Sequence, residues 1–244
     1  MNYRSVKLTQ RDGSMYHLGV KEEQVAKKVI LVPDPRQIPL YATYLDNPVK
    51  MGEHREYVTY TGTYGGQPLT IMSCGFGYMP MAIAVEELNH LGVEEIIKID
   101  FCPAIGEELQ PSAICAATGA VRGEFASREY IHVSYPAVPD MELMSRLIRN
   151  GIGRTALFRS HDLLSLETPA TESGRKKLAM WADLGVEVID RETSSMLVIA
   201  SILKVKAASL AMISENYTTG KRAEQGEDSR KALFEAAAKA LTTV

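Results

Sequence analysis

Five short groups of charged and small residues in this 244-residue chain have the types and spacing to do chemistry. They are Asp34, residues 75–78 with Gly75 and Gly77, residues 100–103, residues 190–192, and the pair Glu215-Asn216. Each follows an apolar, strand-like run, and in α/β folds ligands bind beyond the carboxyl ends of strands. Glycines before a helix let the backbone approach a ligand closely, and the helix N-terminus offers N–H groups to an anion. A carboxyl whose pKa is tuned by its surroundings can donate or accept a proton. Residues 100–103, Asp-Phe-Cys-Pro, read as a loop at the place where such a site would hold an anion. They suit that task poorly, because the aspartate carries the wrong charge and the proline has no N–H. Lys98, two residues earlier, is placed to pair with Asp100 or Glu95.

The elements that must position these groups follow from apolar spacing. Residues 28–33 (KVILVP) form a β-branched run stopped by prolines, a predicted strand. Residues 57–64 and 67–73 flank Gly65-Gly66, a predicted hairpin. Met81, Ala84, Val85, Leu88 and Leu91 recur at helical spacing, with Gly92 as the residue that ends the helix. Strands are expected over 95–99 and 112–117. The second half repeats the device: a helix over 175–184, Gly185, a strand over 186–189, a helix over 193–203, a buried strand over 207–214 and a final helix over 223–241. Alternation of this kind predicts a three-layer α/β/α sandwich with a mixed central sheet, as one domain over 1–244.

Composition narrows the class. Apolar residues make up 45% and charged residues 23%, with a net charge of −3, which fits a soluble globular protein and argues against one that coats nucleic acid. The three cysteines, Cys74, Cys102 and Cys115, form no C-x-x-C pair and have no histidine at zinc-ligand spacing, so they read as buried free thiols of a reducing cytosol and no metal is expected. No signal peptide or membrane-length apolar run is visible, and a cytoplasmic location is expected.

A set of motifs then appears in order: Tyr16-His17-Leu18-Gly19, Val32-Pro33-Asp34-Pro35, Asn47-Pro48-Val49-Lys50, His54-Arg55-Glu56, Ile83-Ala84-Val85-Glu86-Glu87-Leu88, residues 117–121, and Tyr135-Pro136-Ala137-Val138-Pro139-Asp140. Together they resemble the nucleoside phosphorylases of the uridine phosphorylase and hexameric purine nucleoside phosphorylase type. The resemblance implies cleavage of the N-glycosidic bond of a nucleoside by pentosyl transfer to phosphate, with phosphate as co-substrate and no other cofactor. It implies a dimer-based homo-oligomer, up to a trimer of dimers.

Carried over by resemblance, His17 reaches the ribose 5′-hydroxyl across a subunit interface, and Arg55 reaches the phosphate the same way. Glu192, with Asp190 and Arg191, matches the ribose clamp. Glu215 stands where purine-specific relatives carry a general acid, and Asp162 lies near the base-side loop. Gly77 belongs to the glycine turn. The anion pocket departs most from the pattern. Pro33 replaces the glycine of the phosphate turn, and Gln37 replaces an expected arginine, leaving Arg36 one place earlier. Lys98 replaces a strand arginine and holds an anion only as a point charge. Asp100 stands in a loop of hydroxyl and N–H donors, where a carboxylate ~4 Å from a phosphate charge costs ~4 kcal/mol at an effective dielectric near 20.

These departures leave three expectations. The first is N-glycosidic cleavage with a rearranged anion site. The second is a phosphate-independent nucleosidase in which Asp100 or Glu192 orients water. The third is a non-catalytic member that binds ligand, or that completes the site of an active paralogue in a hetero-oligomer by donating His17 and Arg55.

Overall fold

The computed structural model describes residues 6–243. Among the described residues nine strands form one mixed sheet: β1 (Lys28–Val32), β2 (Asp46–His54), β3 (Tyr57–Tyr64), β4 (Gln67–Ser73), β5 (Glu95–Ala104), β6 (Ile114–Gly123), β7 (Thr155–His161), β8 (Val186–Asp190) and β9 (Lys206–Asn216). Their order is β2-β3-β4-β1-β5-β8-β7-β6-β9, and β9 also pairs with β5, so the last five strands close on themselves. Strands β1, β4, β5 and β9 run parallel, while β6, β7 and β8 are parallel to one another and antiparallel to their neighbours β9 and β5.

Helices cover both faces. On one side lie α2 (Tyr78–His90), α3 (Ala126–Tyr130) and α6 (Thr193–Leu203). On the other lie α1 (Ile38–Ala42), α4 (Met141–Arg149) and α7 (Glu227–Thr242), and α5 (Glu172–Asp183) packs on β8. This is the expected mixed-sheet α/β architecture. The apolar run of α6 is buried almost throughout, from Met196 to Ala200, against Val85 and Leu88 of α2, each such side chain stabilising the fold by roughly 1.5–3 kcal/mol. Gly92 and Gly185, at φ +76 and +85, adopt the left-handed conformation that ends a helix without a Cβ clash. All three cysteines are free and buried. Among the described residues no helix is long and apolar enough to cross a membrane.

Two expectations change here. Residues 100–103 are not a loop. They continue β5, paired with β9 from Asp100↔Ala211 to Ala104↔Asn216, with a register shift at Cys102/Pro103, where the proline lacks an N–H. The ring closure requires this, because β5, already beside β9 from Glu95, must outrun β1 to meet β8 at Ala104↔Val188. The final helix starts at Glu227 rather than Ala223, because the Ala223 N–H bonds the Ser214 carbonyl and extends the sheet side. Strand β7, whose polar ending hides its alternation, had no counterpart in the apolar pattern.

Candidate active site

The centre is built on one buried cation. Lys98 points off the middle of β5 with its side chain fully buried. Its Nζ lies 2.8 Å from Asp190 Oδ2, 3.1 Å from Glu192 Oε2 and 3.4 Å from Asp100 Oδ2. Asp100 shares the face of Lys98 because strand side chains alternate with period two. Asp190 ends β8, the antiparallel neighbour of β5, and Glu192 is the last residue before α6.

Every oxygen of the inner two carboxylates is engaged. Asp190 Oδ1 accepts from Ser160 Oγ at 2.6 Å, and Oδ2 accepts from the Thr193 N–H at 2.9 Å and from the Thr193 hydroxyl. Glu192 Oε1 accepts from the Gly77 N–H at 2.7 Å. Gly77, at φ +92, is the N-cap of α2, so its N–H is turned inward to a protein carboxylate rather than to a ligand. The network runs on through α6, where the Ser194 N–H donates to Ser160 Oγ and Ser194 Oγ donates to the buried Glu124, which also holds Ser127.

Charges follow this geometry. Burial opposes the charge on Lys98, but Asp190, Glu192 and Asp100 together outweigh it and hold the ammonium well above its ordinary range. For Asp190 burial acts upward, and Lys98 with the Ser160 and Thr193 donors overcomes it, so its carboxyl is held below the usual range. Burial dominates for Glu192 and pushes it to about 7 despite Lys98. Asp100, 24% exposed, is also pushed up by burial against the pull of Lys98. Its Oδ1 accepts from the Phe101 N–H at 2.8 Å, which removes another donor from solvent. One cation therefore faces three carboxylates.

A backbone of this topology, with carboxylates at a helix start behind a central strand, invites comparison with known proteins. The sequence profile of the phosphorylase superfamily matches residues 27–244. The chain belongs to the phosphorylase superfamily. The uridine phosphorylase of Treponema pallidum is 30% identical over 235 residues, covering 91% of this chain and 90% of that protein. The guanosine phosphorylase of Halorubrum lacusprofundi is 29% identical over 221 residues, covering 91% and 90%. In three dimensions the crystal structure of uridine phosphorylase from Vibrio fischeri superposes with a TM-score of 0.82 at 26% identity, over 94% of this chain and 97% of that one.

Within this superfamily member, the structure brings together Lys98, Asp100, Asp190, Glu192 and Gly77, and leaves the other expected residues elsewhere. Arg36 grips Asp34 through Nε and Nη2, the latter at 2.8 Å from Oδ2, and its side chain is 84% exposed. The Arg36 guanidinium is thus folded back on its own turn, paired with Asp34. Arg55 occupies the two-residue turn between β2 and β3 at φ +55, with its guanidinium 5.7 Å from the Tyr16 ring centroid. It lines a surface hollow of about 550 Å³ with Arg11, Tyr16 and His54. His17 stands beside it, its Nδ1 2.7 Å from Glu87 Oε1, while the backbone N–H groups of His17 and Leu18 also reach Glu87. Arg191 does not reach the Lys98 centre; its guanidinium lies 5.7 Å from the exposed Phe76 ring centroid. Glu215 lies past the register shift of β9 and pairs with Arg222 Nε at 2.9 Å, so its carboxylate serves a surface ion pair. Asp162 stands just beyond the end of β7.

Sequence reasoning missed Glu124, Ser160, Ser194 and Glu87. Ser160 lies next to the last residue of β7, a hydroxyl with no spacing that marks it out. Glu124 and Ser194 come together only through the sheet closure. For Glu87, one helical position among several acidic ones, the sequence holds no signal that singles it out.

Proposed function

We propose that this chain binds a nucleoside in the cleft of its superfamily and does not carry out phosphorolysis at its own centre. One observation carries this reading: the cation at the anion position, Lys98, is enclosed by Asp100, Asp190 and Glu192. A phosphate arriving there meets no unneutralised positive charge, and Asp100 repels it. Glu192, the expected ribose ligand, already holds Lys98 and Gly77. The family reaction, phosphate attack on the glycosidic carbon, needs preorganised positive charge at the nucleophile.

The residues that the resemblance sends across a subunit interface support a complementary role. Arg55 and His17 lie together at the surface, outside the centre of their own chain. A subunit that donates them to a catalytically complete partner keeps these two while losing its own anion pocket.

A second reading has its own support. Glu192 near neutrality and the partly exposed Asp100 are suited to passing a proton to or from water, as in a phosphate-independent nucleosidase. The deciding experiment incubates the purified protein with a panel of purine and pyrimidine nucleosides, with and without phosphate, and follows free base and sugar product. The proposal expects binding without turnover. Free ribose at a rate indifferent to phosphate favours the nucleosidase reading. Phosphate-dependent release of base with ribose 1-phosphate overturns the proposal.

A further inference from the structure

Glu87 is a buried carboxylate with no lysine or arginine paired to it among the described residues. It sits on α2, 5% exposed, and its ion-pair partner is His17. All its donors come from one turn, residues 16–19. Oε1 lies 2.7 Å from His17 Nδ1 and 3.1 Å from the His17 backbone nitrogen. Oε2 accepts from the His17 N–H at 3.1 Å and from the Leu18 N–H at 2.9 Å. A carboxylate is buried at tolerable cost only where donors replace water, and here the segment that carries His17 supplies them.

The same bonds fix where the proton lies. Both oxygens take backbone N–H groups, so each acts as an acceptor, and the proton of the 2.7 Å contact sits on Nδ1. The nitrogen that carries the proton sets the role of the other, so Nε2 of the neutral ring is an acceptor. Among the described residues nothing bonds Nε2, and the side chain is 21% exposed. Neighbours hold the turn and the ring from other sides. The Tyr16 ring meets the imidazole edge-on, with centroids 4.9 Å apart and planes at 80°. His54 Nδ1 donates to the His17 carbonyl oxygen at 2.8 Å, since a carbonyl only accepts. Gly19, at φ +67, leaves room for His54, whose Cβ would lie 2.9 Å from a Cβ on residue 19. The orientation and the proton of His17 are thus set before any ligand arrives.

We propose that Glu87 is the positioning residue of this corner: it holds His17 in the Nδ1–H form, so that His17 meets its ligand as a hydrogen-bond acceptor and takes a hydroxyl. An ether at the same place has no proton to give, sets lone pair against lone pair and is rejected. The inference rests on the nucleoside-binding reading above and deepens it, by naming what His17 selects: a free sugar hydroxyl. A carboxylate that merely pinned the turn would leave that choice unchanged.

The test begins with NMR of the ring nitrogens in the whole protein carrying isotope-labelled histidine, at alkaline pH. It tells a protonated Nδ1 from a protonated Nε2, and His17→Gln assigns the residue among the five histidines. The parent is expected to show the Nδ1–H form. Glu87→Gln is expected to show a mixture, because a carboxamide offers the ring an N–H as well as an oxygen. Calorimetric titration then compares uridine and guanosine with their 5′-O-methyl ethers. The parent is expected to prefer the free hydroxyl at least tenfold, and Glu87→Gln to narrow that ratio at least threefold. A proton on Nε2 in the parent overturns the inference, and this result needs no variant to fold. Equal binding of nucleoside and ether overturns it too, as does a ratio unchanged in Glu87→Gln, the outcome for a carboxylate that only pins the turn. No binding of any nucleoside overturns the reading above instead, and the ring nitrogens then decide the inference by themselves.

Discussion

Replacing Lys98 by methionine tests the central claim that one buried cation holds three carboxylates. The side chain is fully buried and of similar length, so the substitution removes the charge with little change in packing. What remains is Asp190, Glu192 and Asp100 within reach of one another and without a counter-ion. Removing one partner of a buried ion cluster costs about 3–5 kcal/mol, because the stranded charges stay desolvated. Against a typical total stability of about 5–15 kcal/mol this is a large fraction, and at ~2–4 °C per kcal/mol for a chain of this size it lowers Tm by about 6–20 °C. The sign of the pH dependence is fixed by the same geometry. Without Lys98 to oppose burial, all three carboxyls, Asp190 included, are pushed up, and the folded variant binds protons that the unfolded chain releases. Its stability therefore falls as pH rises, and the gap from the parent is smallest in mild acid and widest above neutrality. Urea titrations of parent and variant at pH 5.5 and pH 8 measure both quantities. A variant within about 1 kcal/mol of the parent at pH 8, or a gap that widens on acidification, refutes the claim.

Other consequences follow from single residues. Glu192, raised to about 7 from an ordinary 4.5, makes the parent lose stability as pH climbs from about 4.5 to 7, and Glu192→Gln is expected to flatten that slope in urea titrations. Gly77→Ala places a Cβ where nothing lies within 4 Å, so its cost is the backbone alone, at φ +92 and ψ 174 in a region that essentially only glycine occupies, about 1–3 kcal/mol by thermal melts. Glu167→Ala leaves the Arg159 guanidinium buried against Trp181, 4.0 Å from its ring centroid, without its bidentate acceptor; a loss of about 3–5 kcal/mol by chemical denaturation is expected. Millimolar phosphate is expected to leave Tm unchanged, whereas saturation to a hundredfold above Kd would add about 2.7 kcal/mol and show as a clear upward shift.

Much of the scaffold was legible from local pattern. The hairpin around Gly65-Gly66, the helix closed by Gly92, the helix Thr193–Leu203 and the buried strands all obey short-range rules of period, cap and turn. The ordered motifs identified the family, and the missing phosphate glycine and the aspartate at position 100 already marked the anion site as altered. Which carboxylates would surround Lys98 was not legible. The sequence offered Asp100 and Glu95 as its neighbours. Asp100 is one of the three, but Glu95 turns to Arg146, and Asp190 and Glu192 arrive from more than ninety residues away. That selection belongs to the closure of β5 on β9, which makes residues 100–103 a strand and sets β8 antiparallel beside them. Sequence determined what kind of protein this is, because element type and core burial depend on neighbours within a few residues. Tertiary structure alone decided the charge state of its centre, because Coulomb energies and desolvation depend on which distant groups are brought within about 4 Å in a buried place.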